Sequence, residues 1–236
     1  MDIPILIPSY RPDERLVALV RELVRLGCAT VIVVDDGSGQ DYAGVFEAAA
    51  ASAQCHLLRH AVNSGKGRAL KTGFEFFCSR FQDRPGLVTA DGDGQHRPAD
   101  ILRVAEEFDK RPTELVLGAR RFSGKVPLRS RLGNRIMSSL FGPLAGQRIS
   151  DTQTGLRAIP AAFVKALSAV EGERFEFELA MLIAAGQRGI RLREVPIETV
   201  YLDGNRASHF DPLRDSLKVF LLLVRSFLAG RARDAR

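Results

Sequence analysis

The chain has 236 residues, 45% of them hydrophobic, and a net charge of +6 at pH 7. This length suits one large α/β domain or two small ones, and the composition excludes a disordered chain. Cys28, Cys55 and Cys78 lie far apart without the spacing of metal ligands, which predicts buried free thiols in a reducing cytosol. The N-terminus lacks the basic start and long apolar core of a signal peptide.

Apolar runs alternate with helical patterns along the first half of the chain. The predicted strands are Ile3–Pro8, Thr30–Asp36, Cys55–His60, Gly86–Asp91 and Glu114–Arg120. The predicted helices between them are Asp13–Leu26, Tyr42–Ala53, Arg68–Arg80 and Ala99–Lys110. This alternation predicts an α/β fold, with a mostly parallel sheet flanked by helices on both faces. The loops after such strands gather at one edge of the sheet, where ligands bind.

The pattern loosens after Arg120. The predicted elements there are a basic helix-prone region at Arg131–Phe141, a loop spelled "ISDTQTGLRAIP", helices near Ala161–Val170 and Glu176–Arg188, and one or two strands within residues 190–202. No Pro-, Gly- or Ser-rich linker and no internal repeat interrupts the chain. We therefore expect one continuous domain over residues 1–211, followed by a separate tail.

The tail, residues 212–236, has the pattern of an amphipathic helix with a basic end. Its continuous apolar run, "VFLLLV", is far shorter than the roughly 20 residues of a membrane-spanning helix. The helix can pack on the core, or it can lie in the surface of an anionic membrane with help from the terminal arginines. We expect a cytoplasmic protein, peripheral at the cytoplasmic face of a membrane, with no transmembrane segment.

Two aspartates one residue apart follow the fourth predicted strand, in "TADGDGQHRP". Asp91, Asp93 and Gln95 offer oxygen atoms at alternate positions, and such hard ligands suit Mg²⁺ or Mn²⁺ bound to substrate phosphates. An EF-hand is excluded, because His96 stands where it needs Gly and Leu102 where it needs Glu. A D-x-D pair is common by chance, but its position at a strand end favours a metal site over a polar turn.

The second and third loops read "DDGSG" and "NSGKG". A carboxylate of Asp35 or Asp36 at a strand end can accept hydrogen bonds from a ribose or a base, and a role in a turn or a helix cap is the alternative. Lys66 stands between two glycines ahead of a helix. We expect this lysine and the amides at the helix start to bind phosphate, although the spacing is not that of a Walker A loop.

Basic residues without any acid run from Arg120 to Arg135, and a second basic cluster ends the chain. Such patches bind the phosphates of nucleotides, nucleic acids or anionic membranes, or they are solvated faces. The runs lack the interleaved aromatic residues of a nucleic-acid-binding surface.

The predicted crevice combines acids, a lysine and a metal site. This combination suits a nucleoside diphosphate that must be stabilised as it leaves during a reaction. Neither a dinucleotide fingerprint nor a Ser-His-Asp or Cys-His order is present, which argues against hydride and acyl transfer.

Five motifs occur in the order "VVDDGS", "NSGKGRAL", "DGDGQH", "GAR" and "DTQTGLRAI". In this order they closely resemble the family-2 inverting glycosyltransferases, whose catalytic domain has the nucleotide-sugar-binding, Rossmann-like GT-A fold. Within that family the chain resembles the polyprenyl-phosphate sugar transferases of the dolichol-phosphate mannose synthase type. The resemblance runs from "IPSYRP" to about "SHFDPLRDS", which is nearly the whole chain.

The resemblance implies roles for the matching residues. The residues that would bind the nucleotide are Pro8, Tyr10, Asp35, Asp36 and Lys66. Those that would hold Mg²⁺ or Mn²⁺ are Asp91, Asp93 and Gln95. Those that would receive the acceptor phosphate are Arg120 and Arg131, and Asp151 would lie near the sugar. The catalytic residues would be Asp91, Asp93 and Arg120.

Two positions depart from the family pattern. Arg11 stands where the first motif usually has Asn, which would change contacts near the nucleotide. His209 follows Ser208 where the mannose synthases commonly have lysine, which leaves the sugar and the acceptor open.

The implied activity is metal-dependent, inverting transfer of a hexose from GDP-mannose or a UDP-sugar to polyprenyl phosphate. A phosphate acceptor is already anionic, so it needs cations rather than a strong base, and the Arg120–Arg135 run supplies them. One alternative is a family-2 enzyme that acts on a hydroxyl acceptor. The others are a sugar nucleotidyltransferase, with paired acids and a metal on a similar sheet, and a non-catalytic protein that binds nucleotide sugars or anionic membranes.

Overall fold

The structure, a computed structural model, describes residues 2–120 and 141–198. The strands are β1 (Ile5–Ser9), β2 (Val31–Asp35), β3 (Cys55–Arg59), β4 (Gly86–Thr89), β5 (Leu115–Arg120), β6 (Arg157–Pro160) and β7 (Leu192–Ile197). The α-helices with assigned bounds are α1 (Glu14–Arg25), α2 (Ala43–Ala49), α3 (Lys66–Arg80), α4 (Pro98–Asp109), α5 (Ala161–Leu167) and α6 (Glu176–Gln187). The predicted α/β fold is confirmed, and the helix-prone region before Phe141 and the tail lie outside the described residues.

The strands form one seven-stranded sheet in the order β3-β2-β1-β4-β6-β5-β7. Neighbouring strands are parallel except at β6, which is antiparallel to both β4 and β5. The prediction that "RAIP" (157–160) belongs to a loop was wrong. This strand has only four residues, begins with a buried arginine and ends at a proline, so neither its length nor its polarity gives a strand signal.

The central strands are apolar throughout because both faces of the sheet are covered. Leu6 and Ile32 pack on the face that carries α3, α5 and α6, whereas Ile5, Ile7 and Val33 pack on the face that carries α1, α2 and α4. Adjacent residues of a strand point to opposite faces, so a doubly covered strand needs apolar side chains at every position. This explains why the unbroken apolar runs of the sequence predicted these strands correctly.

Helices α1 and α3 differ in how their N-termini are capped. Asp13 caps α1, because its carboxylate accepts a hydrogen bond from the amide of Arg15. Helix α3 begins at Lys66, two residues earlier than expected, and no side chain caps it. Lys66 therefore belongs to the first helical turn rather than to the preceding loop.

The carboxyl ends of β1 to β5 lie at the same edge of the sheet, as expected for parallel strands. Because β6 runs the other way, it begins at this edge and brings residues 151–156 there. Within the two described ranges, no helix is long and apolar enough to cross a bilayer.

Candidate active site

The carboxylate of Asp36 joins the second loop to the third. Its Oδ1 lies 2.8 Å from His60 Nδ1 and accepts the Ser64 amide at 2.9 Å. Its Oδ2 accepts from Asn63 Nδ2 at 3.0 Å and from the Gly65 amide at 2.7 Å. Both oxygens are thus engaged by the protein, and this predicted nucleotide-binding residue holds the loop ahead of Lys66 in place.

Three amides around the start of α3 donate to other parts of the protein. Those of Ser64 and Gly65 donate to Asp36, and that of Arg68 donates to the Glu173 carbonyl at 2.9 Å. A Cβ on Gly67 would lie 2.7 Å from the Cβ of Phe177, so this glycine permits close packing of α3 on α6. The Lys66 side chain, in the first turn of α3, stays a phosphate-binding candidate.

Lys66 lies between two carboxylates. Its Nζ is 2.7 Å from Asp91 Oδ1 and 2.8 Å from Glu178 Oε2, and the ring of Phe175 lies 6.0 Å away. Burial on its own would lower the pKa of Lys66, but the attraction of Asp91 and Glu178 outweighs it and raises that pKa above its usual range. Lys66 is therefore a fixed positive charge in the crevice.

Both oxygens of Asp91 have partners. Lys66 contacts Oδ1, and Nε2 of the buried His96 lies 3.1 Å from Oδ2. Burial opposes ionisation of Asp91, but Lys66 and His96 outweigh it and hold its pKa well below the usual range. His96 is not one of the residues predicted to contact the metal or the donor. It contacts Asp91, a predicted metal ligand, through Nε2. Its Nδ1 has no hydrogen-bond partner among the described residues.

Asp93 and Gln95 form a short polar turn beside Asp91. Asp93 accepts hydrogen bonds from the Gln95 amide at 3.0 Å and from Gln95 Nε2 at 2.7 Å. Burial and the nearby charge of Asp91 raise the pKa of Asp93. Two carboxylates that repel each other in one site fit a divalent cation, which would relieve the repulsion and prefers hard oxygen ligands.

The protein would supply only part of a metal's coordination. Within the described residues, no group of three His, Cys, Asp or Glu side chains has the arrangement of a metal site. Asp91 and Asp93 therefore fit a cation whose remaining ligands come from an amide, water or substrate phosphate, the usual manner of Mg²⁺ binding.

Arg120 and Asp151 form a bidentate ion pair at the end of β5. Arg120 Nε donates to Asp151 Oδ2 at 2.6 Å and Nη2 donates to Oδ1 at 2.9 Å. Asp151 is completely buried, and its Oδ1 also accepts the amide of Gln153 at 3.1 Å. The predicted phosphate-binding arginine and the predicted sugar-site acid thus contact each other. Arg131 lies outside the described residues.

Arg157 is a buried cation that sequence reasoning missed. Its guanidinium donates to the carbonyls of Thr154 at 2.9 Å, Thr152 at 3.4 Å and Glu178. It therefore fastens the loop before β6 to the first turn of α6. Burial lowers the pKa of Arg157, while the charges of Glu178, Asp151 and Asp91 act in the opposite direction. The buried charge of Arg157 thus lies close to the acids that pair with Lys66 and to the acid that pairs with Arg120.

The profile described as "Glycosyl transferase family 2" matches residues 5–169, more than half of the chain. The chain belongs to this family. The family membership predicted from the five motifs is confirmed, and it decides against a nucleotidyltransferase and against a non-catalytic binding protein.

Similar proteins support the same assignment of this family-2 transferase. An undecaprenyl-phosphate mannosyltransferase of Micrococcus luteus is 31% identical over 83% of this chain and 82% of its own length. A UDP-N-acetylglucosamine–dolichyl-phosphate N-acetylglucosaminyltransferase of Methanococcus voltae is 30% identical over 86% of this chain and 87% of its own. Among solved structures, glucosyl-3-phosphoglycerate synthase from Mycobacterium tuberculosis, in complex with Mn²⁺, UDP and glucosyl-3-phosphoglycerate, superposes with a TM-score of 0.69. It is 17% identical, and the match covers 97% of this chain and 79% of that one. The transferase has the GT-A fold.

The other residues predicted to bind the nucleotide lie at or just after the ends of β1 and β2. Pro8 is buried in β1 opposite Val34, and Tyr10 follows that strand at the sheet edge. Asp35 is buried at the end of β2, where its Oδ1 accepts the amide of Ser38 at 2.9 Å. These predicted residues lie at one edge, as expected for residues that end or follow parallel strands.

Glu178 is a second site residue that sequence reasoning missed. It stands between Phe177 and Leu179 in an almost wholly buried helix, and it is itself buried. An acid enclosed by apolar neighbours is the available signal, since buried charges are nearly always paired. The pattern could not identify Lys66 as the partner, because the two residues lie far apart in the chain.

Arg11 occupies a strained backbone conformation. Its φ of 50° lies in the left-handed region, which Asn tolerates better than Arg. Its amide donates to Ser38 Oγ at 2.8 Å, and its guanidinium carbon lies 5.1 Å from the centre of the Tyr10 ring. The geometry gives a physical reason for Asn at this position of the motif.

We expect Arg11→Asn to raise the free energy of unfolding by about 0.5 kcal/mol. Relief of left-handed strain is worth about 1 kcal/mol, and loss of the stacked guanidinium costs about half of that. Urea denaturation measures the change. The control Arg11→Lys keeps the strain and should show no gain; a less stable Asn variant would contradict the interpretation.

Proposed function

We propose that this transferase moves a hexose from a nucleotide-diphosphate sugar to polyprenyl phosphate, with inversion and with a divalent cation. The donor is GDP-mannose or a UDP-sugar. The proposal is supported by the relatives named for undecaprenyl and dolichyl phosphate, which match this chain over more than four fifths of its length.

The observation that carries the proposal is the state of the acids at the sheet edge. Asp91 and Glu178 share Lys66, Asp151 is paired with Arg120, and Asp36 contacts four groups of the third loop. Asp93, whose pKa is raised by burial and by Asp91, would be engaged by the cation. Carboxylate oxygens engaged in this way are not available to take a proton from an acceptor hydroxyl. A hydroxyl acceptor must lose a proton during transfer, whereas a phosphate acceptor is already anionic and needs only to be held.

The donor would bind across the ends of β1, β2 and β4. Asp35 would accept from the nucleoside, Lys66 would contact the diphosphate, and Asp91 and Asp93, with Gln95, would hold Mg²⁺ or Mn²⁺. A bound cation supplies charge neutralisation for the departing diphosphate. The glucosyl-3-phosphoglycerate synthase is described with Mn²⁺ or Mg²⁺ and UDP, which is consistent with this assignment.

The reaction would be a direct displacement at the anomeric carbon. An acceptor phosphate oxygen forms the new bond to that carbon, the bond to the diphosphate oxygen breaks, and the nucleoside diphosphate leaves with the electron pair. No proton is transferred in this step. Arg120 would hold the acceptor phosphate, for which it must share or release Asp151, and Arg131 would assist. Because the acceptor is a lipid, we expect the enzyme to act at the cytoplasmic face of a membrane.

A donor and acceptor panel tests this function. The purified protein is incubated with radiolabelled GDP-mannose or UDP-sugars and polyprenyl phosphate, with and without Mn²⁺, and lipid-linked label is counted after extraction. We expect label in the lipid fraction from one donor, only with metal. Transfer from no donor would contradict the lipid acceptor, and transfer without metal would contradict the role of Asp91 and Asp93. A soluble hydroxyl acceptor in parallel tests the alternative within family 2.

We expect Gly155→Ala to lower kcat/KM about tenfold by displacing Asp91, a loss of about 1.4 kcal/mol in transition-state stabilisation. A Cβ at Gly155 would lie 2.4 Å from Asp91 Oδ2, which is closer than any real contact of this kind. Gly44→Ala is the matched control, because a Cβ there meets nothing within 4 Å. Initial-rate kinetics measure the effect, and equal activity of the two variants would contradict it.

A further inference from the structure

We infer that Glu178 is a positioning residue, which keeps the Lys66 ammonium in the donor site when Asp91 gives it up to a divalent cation. The inference rests on the proposed function, because it takes Asp91 as a ligand of that cation. It assigns a role to a residue outside the five sequence motifs.

The backbone on both sides of Lys66 is clamped. A Cβ on Gly65 would lie 2.4 Å from the Glu173 carbonyl oxygen, and one on Gly67 would lie 2.8 Å from the Glu173 carbonyl carbon. The segment that leads into α6 therefore packs directly on the start of α3. With its backbone fixed, Lys66 can adjust only through its side chain, whose ammonium already spans Asp91 and Glu178.

The two partners of Lys66 differ in access. The Asp91 side chain is 28% exposed, whereas that of Glu178 is 12% exposed. The buried Arg157 also donates to the Glu178 carbonyl, which anchors the first turn of α6. A cation that enters from the crevice therefore reaches Asp91 first. Glu178 is the permanent partner and Asp91 is the exchangeable one.

Lys66 and a divalent cation compete for the same carboxylate when no nucleotide is bound. Removing the ammonium by Lys66→Met frees Asp91, so Mn²⁺ should bind more tightly to the apo enzyme. Glu178→Gln leaves the ammonium with Asp91 as its one charged partner among the described residues, so Mn²⁺ should bind more weakly. Substitutions of Lys66 and Glu178, which contact each other, are thus expected to shift the Mn²⁺ affinity in opposite directions. A purely structural role of Glu178 would not produce this pattern.

The experiment is a titration of the full chain with Mn²⁺ alone, followed by the electron paramagnetic resonance of free Mn²⁺. We expect about tenfold tighter binding in Lys66→Met and about tenfold weaker binding in Glu178→Gln, corresponding to about 1.4 kcal/mol in each direction. Glu173→Gln is the matched control, because it removes the same charge from the same segment while its partner is Lys71, at 2.9 Å. Its effect should be clearly smaller.

The double variant Lys66→Met/Glu178→Gln completes a thermodynamic cycle. With no ammonium to position, Glu178→Gln should shift the affinity no more than Glu173→Gln does. The inference is overturned if Glu178→Gln weakens Mn²⁺ binding as much in the Lys66→Met background as in the parent, or if Glu178→Gln and Glu173→Gln weaken it equally. It is also overturned if Lys66→Met binds Mn²⁺ no more tightly than the parent, or if the parent binds no Mn²⁺. If Glu178→Gln does not fold, Glu178→Asp takes its place: it keeps the charge but draws it back from the Lys66 ammonium, and it should weaken Mn²⁺ binding in the same direction; unchanged binding in it would overturn the inference. Failure of the proposed function would appear instead as absent lipid product, in an assay that this titration does not use.

Discussion

Asp93→Asn is expected to lower kcat/KM for sugar transfer by about 10²–10³-fold, the usual result of removing one group that stabilises developing charge. Asp93 lies beside Asp91, and its burial together with the charge of Asp91 raises the pKa of Asp93. A neutral amide keeps the size of the side chain but removes the charge that would bind the cation. The loss should therefore appear in catalysis, while the fold is retained.

Initial rates with increasing Mn²⁺ measure this effect. The control is Asp83→Asn, because Asp83 is exposed and lies just before β4, at the opposite end of that strand from Asp93. We expect the control to match the parent, and the Asp93 variant to need more Mn²⁺ for half-maximal rate. Parental activity of Asp93→Asn at low Mn²⁺ would rule out this residue as a metal ligand.

Arg157→Met is expected to lower the free energy of unfolding by about 3 kcal/mol, as found when one partner of a buried polar network is removed. The arginine donates to the carbonyls of Thr152, Thr154 and Glu178, and methionine cannot replace any of these hydrogen bonds. The acids around it would also lose a balancing charge. Methionine fills a similar volume, so the cost comes from polarity rather than from a cavity.

Urea denaturation followed by circular dichroism measures the stability of this variant. Arg80→Met is the matched control, because Arg80 is exposed at the end of α3. We expect that control to lie within about 0.5 kcal/mol of the parent, as surface substitutions usually do. Similar stabilities of the two variants would show that Arg157 does not tie the loop before β6 to α6.

The sequence predicted β1 to β5 well because the signals of these strands are local. Unbroken apolar runs identify strands covered on both faces, and the polar loops that follow parallel strands must meet at one edge. Sequence patterns alone therefore sufficed to place Asp35, Lys66 and Asp91 at one edge of the sheet. To place these residues it is enough to know that the strands are parallel, because parallel strands end at the same edge; the order of the strands is not needed.

The remaining features depend on contacts between distant parts of the chain. Strand β6 is recognisable only from its pairing with β4 and β5, and Glu178 becomes a site residue only because α6 packs on α3. The use of loop amides by Asp36 and Glu173 likewise follows from tertiary structure. Periodicity and composition carry no information on which buried acid meets which cation, since that choice is made by the packing of the elements.

The reversed direction of β6 has a consequence for how this scaffold can diversify. The chain leaves the sheet at Arg120 and re-enters it at Arg157, at the same edge. The segment between these two arginines therefore starts and ends on neighbouring strands of the sheet. Insertions or deletions there leave the order of β1 to β4 unchanged, and with it the positions of Asp35, Lys66 and Asp91. If the proposed function holds, relatives could come to use different acceptors through changes in this segment, while β1 to β4 and the residues at their ends stay the same.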